Sequence, residues 1–129
     1  MSLLPEGQQN NTEVTFNDQQ NINKFSTLFA KKELLTAELN DFKKEKDYLD
    51  DLSLELELID EDELINYKIG ETFVKLKQTE VLKRLEKDNS EIDNNVETLE
   101  SEITSIDNKL SLLKTQLYAK FGTAINLER

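Results

Sequence analysis

Residues 82–117 decide the fold, and they read LKRLEKDNSEIDNNVETLESEITSIDNKLSLLKTQL. From Leu82 to Leu117 apolar residues recur at alternating steps of three and four, with Asn89 as the polar exception. This spacing puts them on one stripe of an α-helix, and a stripe sustained over so many turns is the seam of a coiled coil. The stretch therefore predicts a long helix that packs lengthwise against another helix.

A second seam with the same steps runs from Phe25 to Leu49 and predicts the partner helix. If the chain folds back so that Phe25 lies opposite Leu113, each seam residue of one helix lies opposite a seam residue of the other helix. The predicted fold is thus mainly α, a long antiparallel two-helix coiled coil. The apolar residues of its core are Phe25, Leu28, Leu35, Leu39, Phe42, Leu49, Leu85, Ile92, Val96, Leu99, Ile103, Ile106, Leu110, Leu113 and Leu117.

Three polar residues interrupt the seams and are expected to help fix the register, because polar seam positions tolerate few partners. In this register Lys32 lies opposite Ile106, and Lys46 lies opposite Ile92. Asn89 lies opposite Leu49. A register shifted by seven residues is the alternative.

Local signals place the ends of the first helix. Thr15 and Asp18 have the spacing of a capping box, which predicts a first helix over 16–57. Near its end, residues 52–58 carry leucines at every second position, as a strand would. The helical interpretation is preferred because Leu49, Leu52 and Leu56 continue the helical spacing.

The second helix is predicted over 79–121. Thr79 is its candidate N-cap, and Gly122 is its C-cap in the left-handed conformation.

The segment that joins the helices has the pattern of a β-hairpin. Ile65, Tyr67 and Ile69 alternate with Asn66 and Lys68, and Thr72, Val74 and Leu76 alternate with Phe73 and Lys75. Gly70-Glu71 between them suits a two-residue type II′ turn. An isolated hairpin is marginal in water and exposes both strand edges, so we expect hairpins from several chains to assemble. A simple decorated linker is the alternative. The candidate assembly residues are Ile65, Tyr67, Ile69, Gly70, Phe73, Val74 and Leu76.

The composition excludes several classes of protein. The 129 residues include no Cys, His or Trp, which excludes thiol nucleophiles, Ser-His-Asp triads and the usual zinc or haem sites. With 27 acidic and 16 basic residues the chain is poorly suited to nucleic acid. It has no apolar run of membrane-spanning length and no signal-peptide pattern. We expect a cytoplasmic protein that is not an enzyme and has no cofactor, no metal, and no nucleic-acid or membrane partner.

Three segments resemble the β-type subunits of the prefoldin family. They are LLPEGQ at 3–8 with NNT at 10–12 and VTFNDQQNIN at 14–23, then YKIGE at 67–71, then LYAKFG at 117–122 with INLE at 125–128. The resemblance covers essentially the whole chain, and its terminal motifs are the distinctive part. It implies a single domain over 1–129, divided into an N-terminal tail 1–15, helix 16–57, acidic loop 58–63, hairpin 64–77, helix 79–121 and C-terminal tail 122–129.

The resemblance also implies a function that composition and spacing alone do not give. Prefoldins are hetero-hexamers of two α-type and four β-type subunits, so the implied partners are two α-type and three β-type subunits. Their hairpins form a β-barrel platform. Their coil tips hold unfolded proteins, chiefly actin and tubulin, and deliver them to the cytosolic chaperonin without ATP.

Client contact is expected at the coil end that holds both chain termini. Ile22 and Phe29 lie outside the seam, seven residues apart, on one flank of that end, whereas Thr36 and Lys43 continue the flank as polar residues. The alternative is that such residues staple the helix ends or fold back as caps. The candidate client-binding residues are Leu3, Leu4, Phe16, Ile22, Phe29, Tyr118, Phe121 and Ile125, with Val14 and Leu127 nearby.

The acidity of the chain is concentrated in one segment. Residues 47–63 hold nine acidic residues and no basic one, although the whole chain has a net charge of -11. A solvated, self-repelling loop is the simplest interpretation. The alternative is a patch that steers docking to a basic surface on a neighbouring subunit or on the chaperonin.

Two functions therefore compete. The first is a prefoldin-type co-chaperone subunit, and the second is a structural coiled-coil tether or scaffold without chaperone activity. The hairpin favours the first, because a tether has no need of an aggregation-prone β element.

Overall fold

The protein has two long helices joined by a β-hairpin, as predicted. The structure, a computed structural model, describes residues 13–122 and Leu127. The elements in chain order are α1 (Phe16–Glu57), β1 (Leu64–Ile69), β2 (Thr72–Lys77) and α2 (Gln78–Phe121). The α1 helix continues to Glu57, so the helical interpretation of residues 52–58 is confirmed.

The chain divides into two compact units, to which both helices contribute. Met1–Ala37 and Glu100–Arg129 form the first, called the terminal unit, and Glu38–Leu99 form the second, called the hairpin unit. The core of the terminal unit consists of Ile22, Phe25, Ile106, Leu110, Leu113, Leu117, Phe121 and Leu127. The core of the hairpin unit consists of Leu49, Leu56, Val81, Leu85 and Ile92.

Polar contacts between the helices confirm the predicted register. Lys32 pairs with Asp107 at 2.6 Å, next to its predicted partner Ile106. Lys46 pairs with Asp93 at 2.6 Å, next to its predicted partner Ile92.

Asn89, the third polar residue of the seams, also has the contacts that the predicted register requires. Asn89 donates from Nδ2 to Asp50 Oδ1 at 2.5 Å, next to its predicted partner Leu49, and it accepts from Lys46 Nζ at 2.7 Å. A shift of seven residues would move each partner by about 10 Å along the helix, out of reach of these side chains.

The N-terminus of α1 carries the predicted capping box. Thr15 N donates to Asp18 Oδ2 at 3.0 Å, and Asp18 N donates to Thr15 Oγ1 at 3.1 Å. Lys120, in the last turn of α2, donates to the same carboxylate oxygen. One side chain thus caps α1 and joins it to the end of α2. The hydrogen bond from Lys120, followed by the backbone bond from Thr15, lowers the pKa of Asp18.

The end of α2 and the hairpin turn both use glycine as predicted. Gly122 follows the last helical residue with φ of +58°, and Gly70 has φ of +62°. Glu71 has no positive φ, which fits a type II′ turn and excludes type I′. In the hairpin Ile65 pairs with Leu76 and Tyr67 pairs with Val74.

The predicted N-cap at Thr79 is wrong. The α2 helix begins at Gln78, directly after strand β2. Gln78 N donates to Glu63 O at 3.0 Å, and Gln78 Nε2 donates to Leu56 O at 2.9 Å. These bonds start the helix one residue early, so Thr79 lies inside the first turn and is exposed. Gln78 also ties the end of α1 and the start of the hairpin to α2.

Gln78 is the buried polar residue at this junction, with 4% of its surface exposed. Its Oε1 meets no donor among the residues that the structure describes, so Nε2 alone anchors the side chain.

We expect Gln78→Ala to destabilise the hairpin unit by about 1–3 kcal/mol, because Leu56 O near the end of α1 loses its donor. Urea unfolding followed by circular dichroism measures the loss. The control is Gln116→Ala, an exposed position on the same helix. Equal stability of the two variants would mean that the Gln78 side chain does not hold the junction.

We expect Asp18→Asn to change how stability depends on pH. Because the pKa of Asp18 is lowered in the folded chain, its contribution is present above the unfolded value, about 3.9, and is lost as pH falls through the folded value. Wild type should therefore be more stable than Asp18→Asn at pH 7, and the two should converge as the pH falls below the folded value of the Asp18 pKa. Urea unfolding at a series of pH values measures this, with exposed Asp41→Asn as the control. A stability difference that stays constant with pH contradicts the assignment.

Candidate functional site

The two faces of the hairpin have different surroundings. Ile65, Tyr67 and Leu76 are partly buried and pack on the core of the hairpin unit. The Arg84 guanidinium lies 5.8 Å from the centre of the Tyr67 ring, which fixes that ring against α2. The face that carries these side chains is therefore largely occupied within the chain.

The opposite face of the hairpin is exposed. We call it the outer face. It consists of Leu64, Asn66 and Lys68 on β1 and Phe73, Lys75 and Lys77 on β2, all exposed. In the part of the chain that the structure describes, the sheet has two strands, so the outer edge of each strand is unpaired.

The predicted assembly residues are thus divided by exposure. Ile65, Tyr67, Val74 and Leu76 are partly buried, whereas Ile69, Gly70 and Phe73 are exposed. The outer face, the strand edges and Ile69 remain available for another chain.

A groove with both apolar and polar lining residues lies between the helices of the terminal unit. We call it the terminal groove. It has a volume of about 300 Å³, and Phe25, Phe29, Leu110 and Leu127 supply its apolar wall. The rings of Phe25 and Phe29 stack with their centres 6.3 Å apart. Lys32, Asp107, Ser111 and Lys114 complete the lining.

The structure changes the predicted client-binding set. Ile22 was expected on an exposed flank and Phe121 elsewhere on the exposed tip. Both expectations are wrong, because each residue is 7% exposed and lies in the core of the terminal unit. The buried Leu127, which follows α2 in sequence, belongs to the same core. The alternative interpretation, a local cap, applies to these residues.

The other predicted tip residues lie in three settings. Phe16 is 80% exposed and Val14 is exposed, while Phe29 and Tyr118 are partly buried against the core. The predicted residues Leu3, Leu4 and Ile125 lie outside the residues that the structure describes.

The predicted core residues all lie in the interior or at its margin. Partly buried are Leu28, Leu35, Phe42, Val96 and Ile103, and the remaining ten are buried. Five buried apolar residues are absent from the predicted core: Ile22, Phe121 and Leu127, which were assigned to the tip, and Leu56 and Val81, which were assigned to no site. Val81 precedes Leu85 by four residues, so the same step rule could have found it in place of Leu82, which is only partly buried.

A second groove, in the hairpin unit, is polar. It measures about 550 Å³, and its lining includes Lys46, Asp50, Asn89 and Asp93, which bond to one another. The hydrogen bond to Asp93 is the main reason why the pKa of Lys46 is raised. These contacts set the register of the helices. The terminal groove is the candidate client site because two phenylalanines, Phe25 and Phe29, line it.

Other kinds of site have no support in the described part of the chain. Among those residues no three His, Cys, Asp or Glu side chains are arranged to hold a metal ion. Neither α1 nor α2 is apolar enough over the length that a membrane span requires.

Comparisons with known proteins agree with the architecture. A family profile described as "Prefoldin subunit" matches residues 19–124. Prefoldin subunit 4 of Saccharomyces cerevisiae is 56% identical over 129 residues, the full length of both chains. Prefoldin subunit 4 of Homo sapiens is 41% identical over 116 residues, which cover 89% of this chain and 87% of that protein.

A solved structure has the same fold. The crystal structure of the prefoldin beta subunit from Thermococcus strain KS-1 superposes with a TM-score of 0.78, covering 86% of this chain and 97% of that one. Its sequence identity is 14%, so this likeness concerns the fold alone. The profile and the full-length relatives carry the assignment further: the chain belongs to the prefoldin family of co-chaperones, on the subunit 4 branch.

Proposed function

We propose that this chain is one of six subunits of a cytoplasmic prefoldin, a hetero-hexamer with two α-type and three further β-type subunits. The hairpins join into a β-barrel platform. The terminal units hold unfolded nascent proteins, chiefly actin and tubulin, and deliver them to the cytosolic chaperonin. Prefoldins are chaperones rather than enzymes, and holding a client needs only reversible contacts, so no cofactor is required.

The terminal groove is the single observation that carries the client-binding step. It is open, four apolar side chains form part of its lining, and its volume is near the lower end of the range for ligand pockets. That is room for a single large apolar side chain of an extended client segment. Burying such a side chain yields about 1.5–3 kcal/mol, so one groove alone would bind weakly. Several subunits acting on one client would raise the overall affinity by multivalency.

Weak, shared contacts also suit release to the chaperonin. Each contact can open separately, so a client can leave one subunit at a time without an energy source. The lysines beside the groove, Lys32 and Lys114, add a polar rim whose long side chains can adapt to different client segments. The identity of the clients as actin and tubulin rests on the resemblance to prefoldin, not on the groove.

The hairpin supports the assembly step. Two-stranded sheets are marginal alone, and this one leaves both edges unpaired in the described part of the chain. Phe73 is 65% exposed and Ile69 is exposed on the same hairpin. An edge and an exposed aromatic side chain together are a surface that another strand can cover.

The alternative, a structural tether without chaperone activity, makes a different prediction about partners. Affinity purification of the tagged chain followed by native mass spectrometry should recover five other small coiled-coil subunits in equal amounts. Recovery of one long filament or membrane protein in their place would favour the tether. The control is the same chain tagged at the other terminus, which separates partners lost to the tag from partners that are absent.

The client-binding step is tested at Phe29. We expect Phe29→Ser to weaken binding of labelled, chemically unfolded actin by about tenfold, the factor that corresponds to about 1.4 kcal/mol, because one apolar wall of the groove is lost. Fluorescence anisotropy measures binding to the assembled hexamer, and native mass spectrometry verifies assembly.

Leu112→Ser is the matched control for Phe29→Ser. Leu112 is 64% exposed in the terminal unit and does not line the groove, so its loss removes apolar surface elsewhere. Unchanged binding in Phe29→Ser, or an equal loss in Leu112→Ser, would contradict the groove as the client site.

A further inference from the structure

The outer face of the hairpin combines apolar and basic side chains in a specific arrangement. Phe73 lies directly opposite Lys68 in the strand register, and Leu64 lies opposite Lys77. Asn66 lies opposite Lys75. The face has no acidic residue, although acidic residues predominate in the chain as a whole.

Two of the three lysines on this face are unpaired. Lys77 lies 3.8 Å from Asp62, whereas Lys68 and Lys75 form no ion pair with any residue that the structure describes. The pairing register makes Lys68 and Lys75 diagonal neighbours across the two strands, about 7–8 Å apart. Both side chains are exposed, so their ammonium groups can reach carboxylates on another chain.

Lysines on edge strands can also serve only to prevent aggregation. That role does not require a large aromatic side chain opposite one of them. Phe73 is 65% exposed and Leu64 is 59% exposed, so this face combines apolar area to be covered with charges at its margin. An apolar centre with a polar rim is the usual anatomy of a protein interface.

The charge of the outer face restricts which molecule can cover it. A second copy of this chain, docked face to face, would bring Lys68 and Lys75 towards the same lysines, which is repulsive. A nucleic acid would meet the nine carboxylates of residues 47–63 in the same hairpin unit. A protein surface with carboxylates around an apolar centre would not be repelled by the lysines of the outer face.

We propose that the outer face docks onto a carboxylate-bearing β-hairpin of a neighbouring prefoldin subunit, with Phe73 and Leu64 buried at the centre and Lys68 and Lys75 paired with its carboxylates. The proposal rests on the assembly of hairpins in the proposed function and adds the chemistry of the neighbour. It gives this subunit a charge-based preference for one position beside an acidic neighbour.

The first experiment identifies the neighbour. A carbodiimide joins a lysine amine directly to a carboxylate that is in contact with it, without a spacer. Treatment of the reconstituted hexamer, followed by peptide mapping, should join Lys68 or Lys75 to an Asp or Glu in the hairpin of another subunit. Cross-links that reach only residues of this same chain would overturn the proposal.

The second experiment measures assembly rates. Lys68→Gln with Lys75→Gln should slow incorporation of this subunit into the hexamer by about tenfold at low salt, because electrostatic steering is lost. Wild-type incorporation should slow between about 50 and 500 mM salt, whereas the variant should show little salt dependence. Lys31→Gln with Lys44→Gln, two exposed α1 positions, makes the same change in net charge and should behave like wild type.

The possible results distinguish failure of the docking proposal from failure of the proposed function on which it rests. If wild type does not enter a hexamer at all, the proposed function fails. If wild type enters and the two variants assemble at the same rate with the same salt dependence, the function stands and the docking proposal is wrong. Self-association of the isolated chain that requires Lys68 and Lys75 would assign the face to a second copy. Binding of a labelled RNA that requires them would assign it to nucleic acid, and either result overturns the proposal.

Discussion

The antiparallel register of the two seams is the constraint on which the rest of the structure depends. Apolar side chains alone would tolerate a slip of one heptad, because leucine meets leucine in either alignment. Lys32, Lys46 and Asn89 remove that freedom, since their partners Asp107, Asp93 and Asp50 come within reach in one alignment. Each polar seam residue reduces the apolar surface that the seam buries. Its polar contact allows only one pairing of the two helices.

The junction between coil and hairpin depends on a smaller set of bonds. Strand β2 runs into α2 without a loop, and Gln78 bonds to the carbonyl oxygens of both Leu56 and Glu63 at that point. This holds one face of the hairpin on the core of the hairpin unit and leaves the other exposed. A two-stranded sheet that is marginal alone thereby gains support on one side and keeps the other for a partner.

Much of this fold could be predicted from the sequence because its signals repeat. Seam steps recur over many turns, and Gly70 and Gly122 mark backbone positions that other residues rarely adopt. The burial of Ile22 and Phe121 could not be predicted this way. Heptad positions describe a residue relative to one partner helix, whereas Leu127, which lies outside both helices, also belongs to this core. The orientation of the hairpin depends on Gln78, and a glutamine at the start of a helix has no distinctive sequence signal.

The terminal unit shows how a subunit can expose apolar surface and still hold its helix ends together. A client in the groove would contact Phe25, Leu110 and Leu127, which also belong to the core of the terminal unit. Here Leu117 and Phe121 are buried in the core, and a polar connection through Thr15, Asp18 and Lys120 closes the helix ends. Phe29 lies at the margin of that core and lines the open groove. In the proposed role a client therefore covers only the exposed part of the groove, while Leu117, Phe121 and the polar connection hold the helix ends together.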